Sequence, residues 1–328
     1  MSSCADRPSS SAGVSSLANG EMIKPRALQP GDRIGLIAPA SHFNREAFET
    51  GCDRLRRMGY EPVYEQDIFD RDLYFAGTAD RRLREFESML ERDDVAALIG
   101  VRGGYGSNYL LENLDFDLFA AHPKILLGAS DLTTLLTAAA DRAGLVTFHG
   151  PMVAKDIAGG TLESSSWNCA LEGSTSWSIP SEGLTVLRSG RARGHLYGGC
   201  LSLLVASLGT SYEIETEETI LFLEDVGEKP YQIDRMLMQL LLAGKFESVR
   251  GVIFGEMLDC VQPGAQSFSL PQVIERVLAD VRVPMVFGLK SGHVSGGNIT
   301  LPFGVQAELS ANDSGVQLKI LEAATIIR

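Results

Sequence analysis

The chain has 328 residues, of which 45% are hydrophobic, and a formal net charge of −13. That length supports two domains, each with its own core, and so acidic a surface repels nucleic acid, the short basic clusters at 54–57 and 188–193 reading as solvated faces. No stretch approaches the roughly 18 apolar residues of a membrane span, and five widely spaced cysteines (Cys4, Cys52, Cys169, Cys200 and Cys260) without a C-x-x-C pair argue against a disulfide framework or a zinc site.

In chain order, residues 1–22 are polar and Ser-rich, lack the apolar stretch of a secretory signal, and read as a disordered tail. Arg33-Ile-Gly-Leu-Ile-Ala-Pro is a short apolar run ended by Pro39, which suits a buried parallel strand. A helical pattern runs from about Asn44 to Met58, where Gly59 stops it. Glu61 to Tyr64 is a second strand, and Thr78 opens a helix carrying Phe86, Met89 and Leu90. Val95–Val101 is a strand ending in a glycine-rich loop, and a further helix is expected to begin over Asn108–Leu114. Lys124–Gly128 is a strand and Leu132–Ala143 a helix.

This alternation predicts a parallel sheet with helices on both faces over residues 23–160. Residues 161–195 are rich in Gly, Ser and Thr, contain Trp167 and Trp177, and read as a bridge between domains. In a second domain, 196–328, a helix (Leu201–Ser207), a strand (Thr219–Glu224), a helix (Tyr231–Ala243), a strand (Gly251–Gly255) and a helix near Pro271–Ala279 precede a β-rich end.

Two turns carry candidate chemistry. An apolar strand runs into Gly128-Ala-Ser-Asp and a helix leaves it. A serine at that corner projects its Oγ beside a helix N-terminus, where backbone N–H groups stabilise an oxyanion, whereas Ser130 or Asp131 acting as a plain helix cap is the competing reading. Arg102-Gly-Gly-Tyr-Gly likewise ends a strand, where Gly103 and Gly104 offer unobstructed N–H groups; a simple turn is the alternative, and a G-x-G-x-x-G dinucleotide fingerprint is not matched.

His293 lies in a Gly/Ser loop with no apolar face to join, with His149 and His195 as rivals among five histidines. Glu224 ends an apolar strand, and a buried carboxylate there calls for a partner such as an imidazole N–H; Glu228 is the second candidate. Spacing alone does not bring Ser130, Glu224 and His293 together.

Taken together, the motifs resemble the LD-carboxypeptidase family, serine peptidases that include the microcin-immunity hydrolases. The anchors are Gly31-Asp-Arg-Ile-Gly-Leu-Ile-Ala-Pro-Ala-Ser, Arg102-Gly-Gly-Tyr-Gly, Gly128-Ala-Ser-Asp, Phe148-His-Gly-Pro-Met, Gly198-Gly-Cys-Leu-Ser-Leu-Leu, the Leu223–Leu237 segment beginning Leu-Glu-Asp-Val-Gly-Glu-Lys-Pro, and Gly292-His-Val-Ser-Gly-Gly-Asn. The resemblance implies an α/β fold: an N-terminal doubly wound parallel sheet of glutamine-amidotransferase type and a smaller, β-rich C-terminal domain. It implies a triad of Ser130, Glu224 and His293, with oxyanion donors from the backbone of Gly103 or Gly104 and of Asp131.

It further implies a cytoplasmic homodimer that cuts the terminal D-alanine from a murein tetrapeptide without metal or organic cofactor. Arg102 or Arg235 would clamp the substrate carboxylate. An alternative substrate is the amide of an aminoacyl nucleotide, which would want an aromatic stacker such as Trp167 or Trp177. Cys200 departs from the family pattern, standing where asparagine is expected and bearing on a polar contact near the domain junction. A non-catalytic murein-fragment binder is the rival from another class.

Overall fold

The computed structural model describes residues 22–261 and 268–327. The expected tail lies outside them except for Met22, which is buried and would touch any Cβ placed at Gly304. The first strands and helices follow the apolar periodicity closely. They are β1 (Arg33–Ile37), α1 (Arg45–Arg57), β2 (Glu61–Val63), α2 (Ala79–Glu91), β3 (Val95–Gly100), α3 (Asp117–Ala121), β4 (Ile125–Gly128), α4 (Thr133–Ala143) and β5 (Thr147–His149). The caps are those the sequence offers: Asn44 accepts from the Ala47 N–H, Thr78 from the Arg81 N–H, and Gly144 closes α4 in the left-handed region.

After β5 come α5 (Ser164–Leu171), β6 (Trp177–Ile179), β7 (Thr185–Arg188), β8 (Gly190–Cys200), α6 (Leu201–Ser207), β9 (Thr219–Glu224) and α7 (Pro230–Leu242). The chain finishes with β10 (Gly251–Gly255), α8 (Leu270–Val277), β11 (Met285–Leu289), β12 (Leu301–Phe303), β13 (Val305–Asn312) and β14 (Gly315–Ile320). No helix among the described residues is long and apolar enough to cross a membrane.

The strands form two sheets. The first has the order β12-β5-β4-β3-β1-β2, parallel except for β12. Its strands alternate between two cores. Ile34, Leu36, Ile99 and Leu127 pack with Phe48 and Leu55 of α1, whereas Ile37, Leu98 and Leu126 pack with Phe86 and Met89 of α2 and Leu135 of α4. The second sheet has the order β6-β14-β13-β8-β9-β10-β11-β7 and is mixed.

Three expectations need adjustment. Residues 161–195 are more than a bridge, since β6 and β7 within them form the two edges of the second sheet. The C-terminal segment is divided too: β12 returns to the first sheet, with Leu301 opposite His149. Pairing at such sequence distance leaves no local mark. In place of a helix over 108–114 there is only a 3-10 turn at Ser107–Tyr109, because the Ser107 N–H and hydroxyl are both bound to Asp131.

Candidate active site

Ignoring β12, the first sheet runs 2-1-3-4-5, so the order reverses between β1 and β3, where open α/β sheets bind ligands. Both loops leaving that crevice are held together. The Ser41 N–H donates to the Gly103 carbonyl at 3.3 Å, and the Tyr105 N–H donates to Ser41 Oγ at 3.1 Å. From α2, the buried Arg82 guanidinium donates to the carbonyls of Pro39 (2.6 Å) and Gly106 (2.7 Å), one in each loop. Nearby, Glu85 accepts the Ala38 N–H at 2.8 Å and pairs with Arg81; burial pushes its carboxyl up to about 7 against the opposing pull of Arg81.

β4 delivers Ser130 to the same edge. Its φ of 60° is left-handed, a conformation costly to a residue with a Cβ, and it opens a 3-10 turn leading into α4. A Cβ placed on Gly103 would lie 2.7 Å from Ser130 Cβ and 2.9 Å from its Oγ, so the glycine backbone lies directly against the serine. Neither Gly103 nor Gly104 gives its N–H to a partner among the described residues.

Asp131 is buried, and its carboxylate accepts the Ser107 N–H at 2.7 Å. Burial raises its pKa, although Ser107 and Arg82 oppose the rise. Asp131 is thus a strut that locks the turn to the 107 loop, which leaves only its backbone for a role toward substrate.

The second sheet brings the acid and the imidazole. Glu224 ends β9, opposite Cys200, and is fully buried. Its Oε2 accepts from His293 Nδ1 at 2.8 Å and from the His293 backbone N–H at 3.0 Å. Burial would raise its carboxyl, but the nearby His149 and His293 imidazoles, the second of them hydrogen-bonded to it, hold it well below the usual carboxylate range. For His293, burial pulls the imidazole down, while the bond to Glu224 and that residue's charge outweigh it and leave the pKa above 6.5. Glu228 is half-buried and has no bond to His293, so Glu224 is the acid that faces the imidazole.

The other candidates are placed elsewhere. His195 pairs with Gln306 at 2.9 Å in the second sheet, and burial lowers its pKa. Arg102 is exposed and donates to the His42 carbonyl at 2.9 Å, beside the glycine loop; Arg235 is exposed on α7. Trp167 and Trp177 are both buried, so neither offers a stacking face to a ligand.

Cys200 is buried, and its N–H donates to Thr133 Oγ1 at 3.1 Å, joining the second sheet to the helix that follows Ser130. Its thiol, the Glu224 carboxylate and the His293 imidazole lie within 4.8 Å of one another. The last two are already bound to each other, and burial raises the thiol pKa, which makes this an unready metal trio. No hydrogen bond joins Ser130 Oγ to His293. The halves instead meet through Cys200–Thr133 and through His149 of β5, whose Nε2 lies 3.7 Å from Glu224 of the second sheet.

What the sequence reading missed is the surrounding support: Arg82, Ser107 and Ser291, the last bound to His149. It also missed the exposed rings of Tyr74, Tyr105 and Tyr109 beside Gly104, whose centroids are 6.0–6.1 Å apart.

Comparison with known proteins agrees with this architecture. Residues 34–150 match the LD-carboxypeptidase N-terminal domain and residues 193–309 the LD-carboxypeptidase C-terminal domain. The chain is 38% identical over 292 residues to a probable murein peptide carboxypeptidase of Bacillus subtilis, covering 88% of this chain and 91% of that one. It is 32% identical to the murein tetrapeptide carboxypeptidase of Pseudomonas aeruginosa, covering 87% and 95% respectively. The solved structure of the microcin C7 self-immunity protein MccF, wild type without ligand, superposes with a TM-score of 0.84 at 25% identity, covering 93% of this chain and all of that one.

Proposed function

The chain belongs to the LD-carboxypeptidase family, and from that premise we propose that it is a serine carboxypeptidase that removes the terminal D-alanine of murein tetrapeptides by a Ser130–His293–Glu224 triad. The observation that carries the assignment of roles is the pairing of part-buried His293 with fully buried Glu224, which ends a strand of the second sheet as the Ser130 turn follows one of the first.

The reaction proceeds by acyl transfer. Ser130 Oγ attacks the carbonyl carbon of the L,D peptide bond as His293 Nε2 takes its proton. Glu224 holds Nδ1–H and stabilises the imidazolium that forms. The tetrahedral oxyanion is met by backbone N–H groups of Gly103 or Gly104 and of Asp131. The imidazolium then gives its proton to the leaving amine of D-alanine, and a water repeats the cycle on the acyl-enzyme. Every proton is moved by these side chains, so the scheme uses no metal or organic cofactor. Arg102, in the same loop as the oxyanion donors, is the favoured clamp for the substrate carboxylate, with Arg235 the second candidate. The enzyme acts in the cytoplasm as a homodimer.

Amide hydrolysis of an aminoacyl nucleotide would use the same triad. The burial of Trp167 and Trp177 removes the stacking faces that such a ligand was expected to find here. The test is mass spectrometry of a murein tetrapeptide incubated with the wild type and with Ser130→Ala. Loss of one alanine by the wild type alone supports the proposal. No change with either protein overturns the substrate, and equal cleavage by both overturns the nucleophile.

A further inference from the structure

The Glu224 carboxylate faces two imidazoles, and the triad uses only one. Its Oε2 is taken by His293, while its Oε1 has no hydrogen-bond partner and lies 3.7 Å from Nε2 of His149, which has none either. Both side chains are fully buried. A shift of under 1 Å closes this gap to a charge-assisted hydrogen bond, and two facing buried polar atoms are costly to leave unpaired. We propose that His149 is a positioning residue: it holds the Glu224 carboxylate so that Oε2 presents to His293, and it couples the strand behind the nucleophile to the acid. This rests on the triad reading above.

Four observations support that role. His149 Nδ1 is bound to Ser291 Oγ at 2.9 Å, which directs Nε2 at the carboxylate, and Nε2 carries its proton in the imidazolium as well as in the tautomer this contact requires. The ring is held between Phe303, stacked at 5.5 Å, and Phe222, packed edge-on at 5.3 Å, which fixes the plane in which Nε2 lies. The loop bearing His293 closes over the pair: a Cβ on Gly292 would lie 2.7 Å from both Glu224 Cδ and His149 Cε1. Finally, His149 lies opposite Gly128, two residues before Ser130, and the Gly150 N–H donates to the Gly128 carbonyl at 3.0 Å. One side chain of the first sheet therefore reaches the acid delivered by the second.

The experiment compares His149→Leu, which removes the N–H, with His149→Gln, whose amide can replace it. Two readouts are used: tetrapeptide kinetics, and the downfield proton resonance of the His293 Nδ1–H bound to Glu224. In the Leu variant kcat is expected to fall about tenfold or more with KM within about twofold, the pattern of a lost transition-state interaction, and the resonance to shift or broaden. The Gln variant is expected to recover kcat to within about threefold of wild type, together with the resonance.

Wild-type kcat and resonance in the Leu variant overturn the proposal, as do Leu and Gln variants that are equally slow although both melt cooperatively. If the Leu variant does not fold, Ser291→Ala serves instead: it frees His149 Nδ1 without emptying the core and is expected to shift the resonance and lower kcat in the same direction, and no change in either overturns the proposal. The resonance needs no substrate. A wild type inert toward tetrapeptide would sink the functional reading while leaving the His149 result readable.

Discussion

Gly103 and Ser130, on loops that follow different strands, touch so closely that a methyl group at position 103 would lie 2.7 Å from the Ser130 Cβ. The φ of Gly103 is not left-handed, so alanine is not barred by the backbone angle there and conflicts chiefly with the serine and, at 3.2 Å, with the Asp131 backbone nitrogen. Gly103→Ala is expected to lower kcat/KM about 10–100-fold, because a displacement of about 1 Å at the reacting atom has that effect, while the protein still melts as one unit. Steady-state kinetics beside a thermal melt checks this; wild-type activity would mean that the serine does not react from this position.

The left-handed backbone of Ser130 is expected to trade stability for activity. Ser130→Gly relieves a cost of about 1 kcal/mol and should raise the melting temperature by about 2 °C as hydrolysis disappears. A calorimetric scan in which the glycine variant melts below wild type would argue against strain at this turn.

The Glu224–His293 pair sets a pH limb. In the proposed mechanism His293 is the general base and works as neutral imidazole, and since its pKa is raised above 6.5, kcat/KM should rise with pH through a midpoint above 6.5. Glu224→Gln removes the charge that sustains that pKa, so the midpoint should move down and kcat should fall about a thousandfold or more. Stability runs the other way. A histidine whose folded pKa is raised stabilises the fold fully below about 6.5, and loses that contribution as pH climbs through the folded value. Glu224, held low, contributes above about 4.3 and loses that only as pH falls through its depressed pKa. A midpoint at or below 6.5 for the wild type would contradict the pairing.

Arg102→Ala is expected to raise KM for the tetrapeptide several-fold, by about 1 kcal/mol or more for a lost charge-assisted contact, with kcat little changed. Arg235→Ala, assayed alongside, tests the other candidate. Whichever leaves KM at the wild-type value is not the clamp.

Arg82→Met should destabilise the fold by about 2–4 kcal/mol, since it strips donors from two buried carbonyls. Urea denaturation would detect it, and a change under about 0.5 kcal/mol would show that the loops after β1 and β3 do not depend on this guanidinium.

Much of this architecture was legible in the residues. The Leu201–Ser207 helix and the strands Thr219–Glu224 and Gly251–Gly255 have the bounds read from the sequence, because short apolar runs flanked by polar or glycine residues leave few other conformations. The helix expected over 108–114 failed because Ser107 is bound to a side chain 24 residues away. The sequence favours Glu224 over Glu228 as the partner of His293 without deciding between them in space, as both sit in one motif and only the end of β9 orients the first inward. His149 was weighed as a rival base, whereas the structure aims it at the acid, a contact spanning 75 residues that no spacing rule reports.

The return of β12 to the first sheet has a bearing on how the protein is made. Until residues 301–303 leave the ribosome, β5 has an open edge, and its intended neighbour arrives about 150 residues later, a delay of ~8–30 s at ~5–20 residues per second. The nascent chain therefore carries a strand with one open edge through nearly half of its synthesis, the exposure that invites mispairing with another chain. Since that edge belongs to the strand carrying His149, completing the sheet and completing the surroundings of Glu224 become one late event, and a chain truncated before Leu301 would be left with neither.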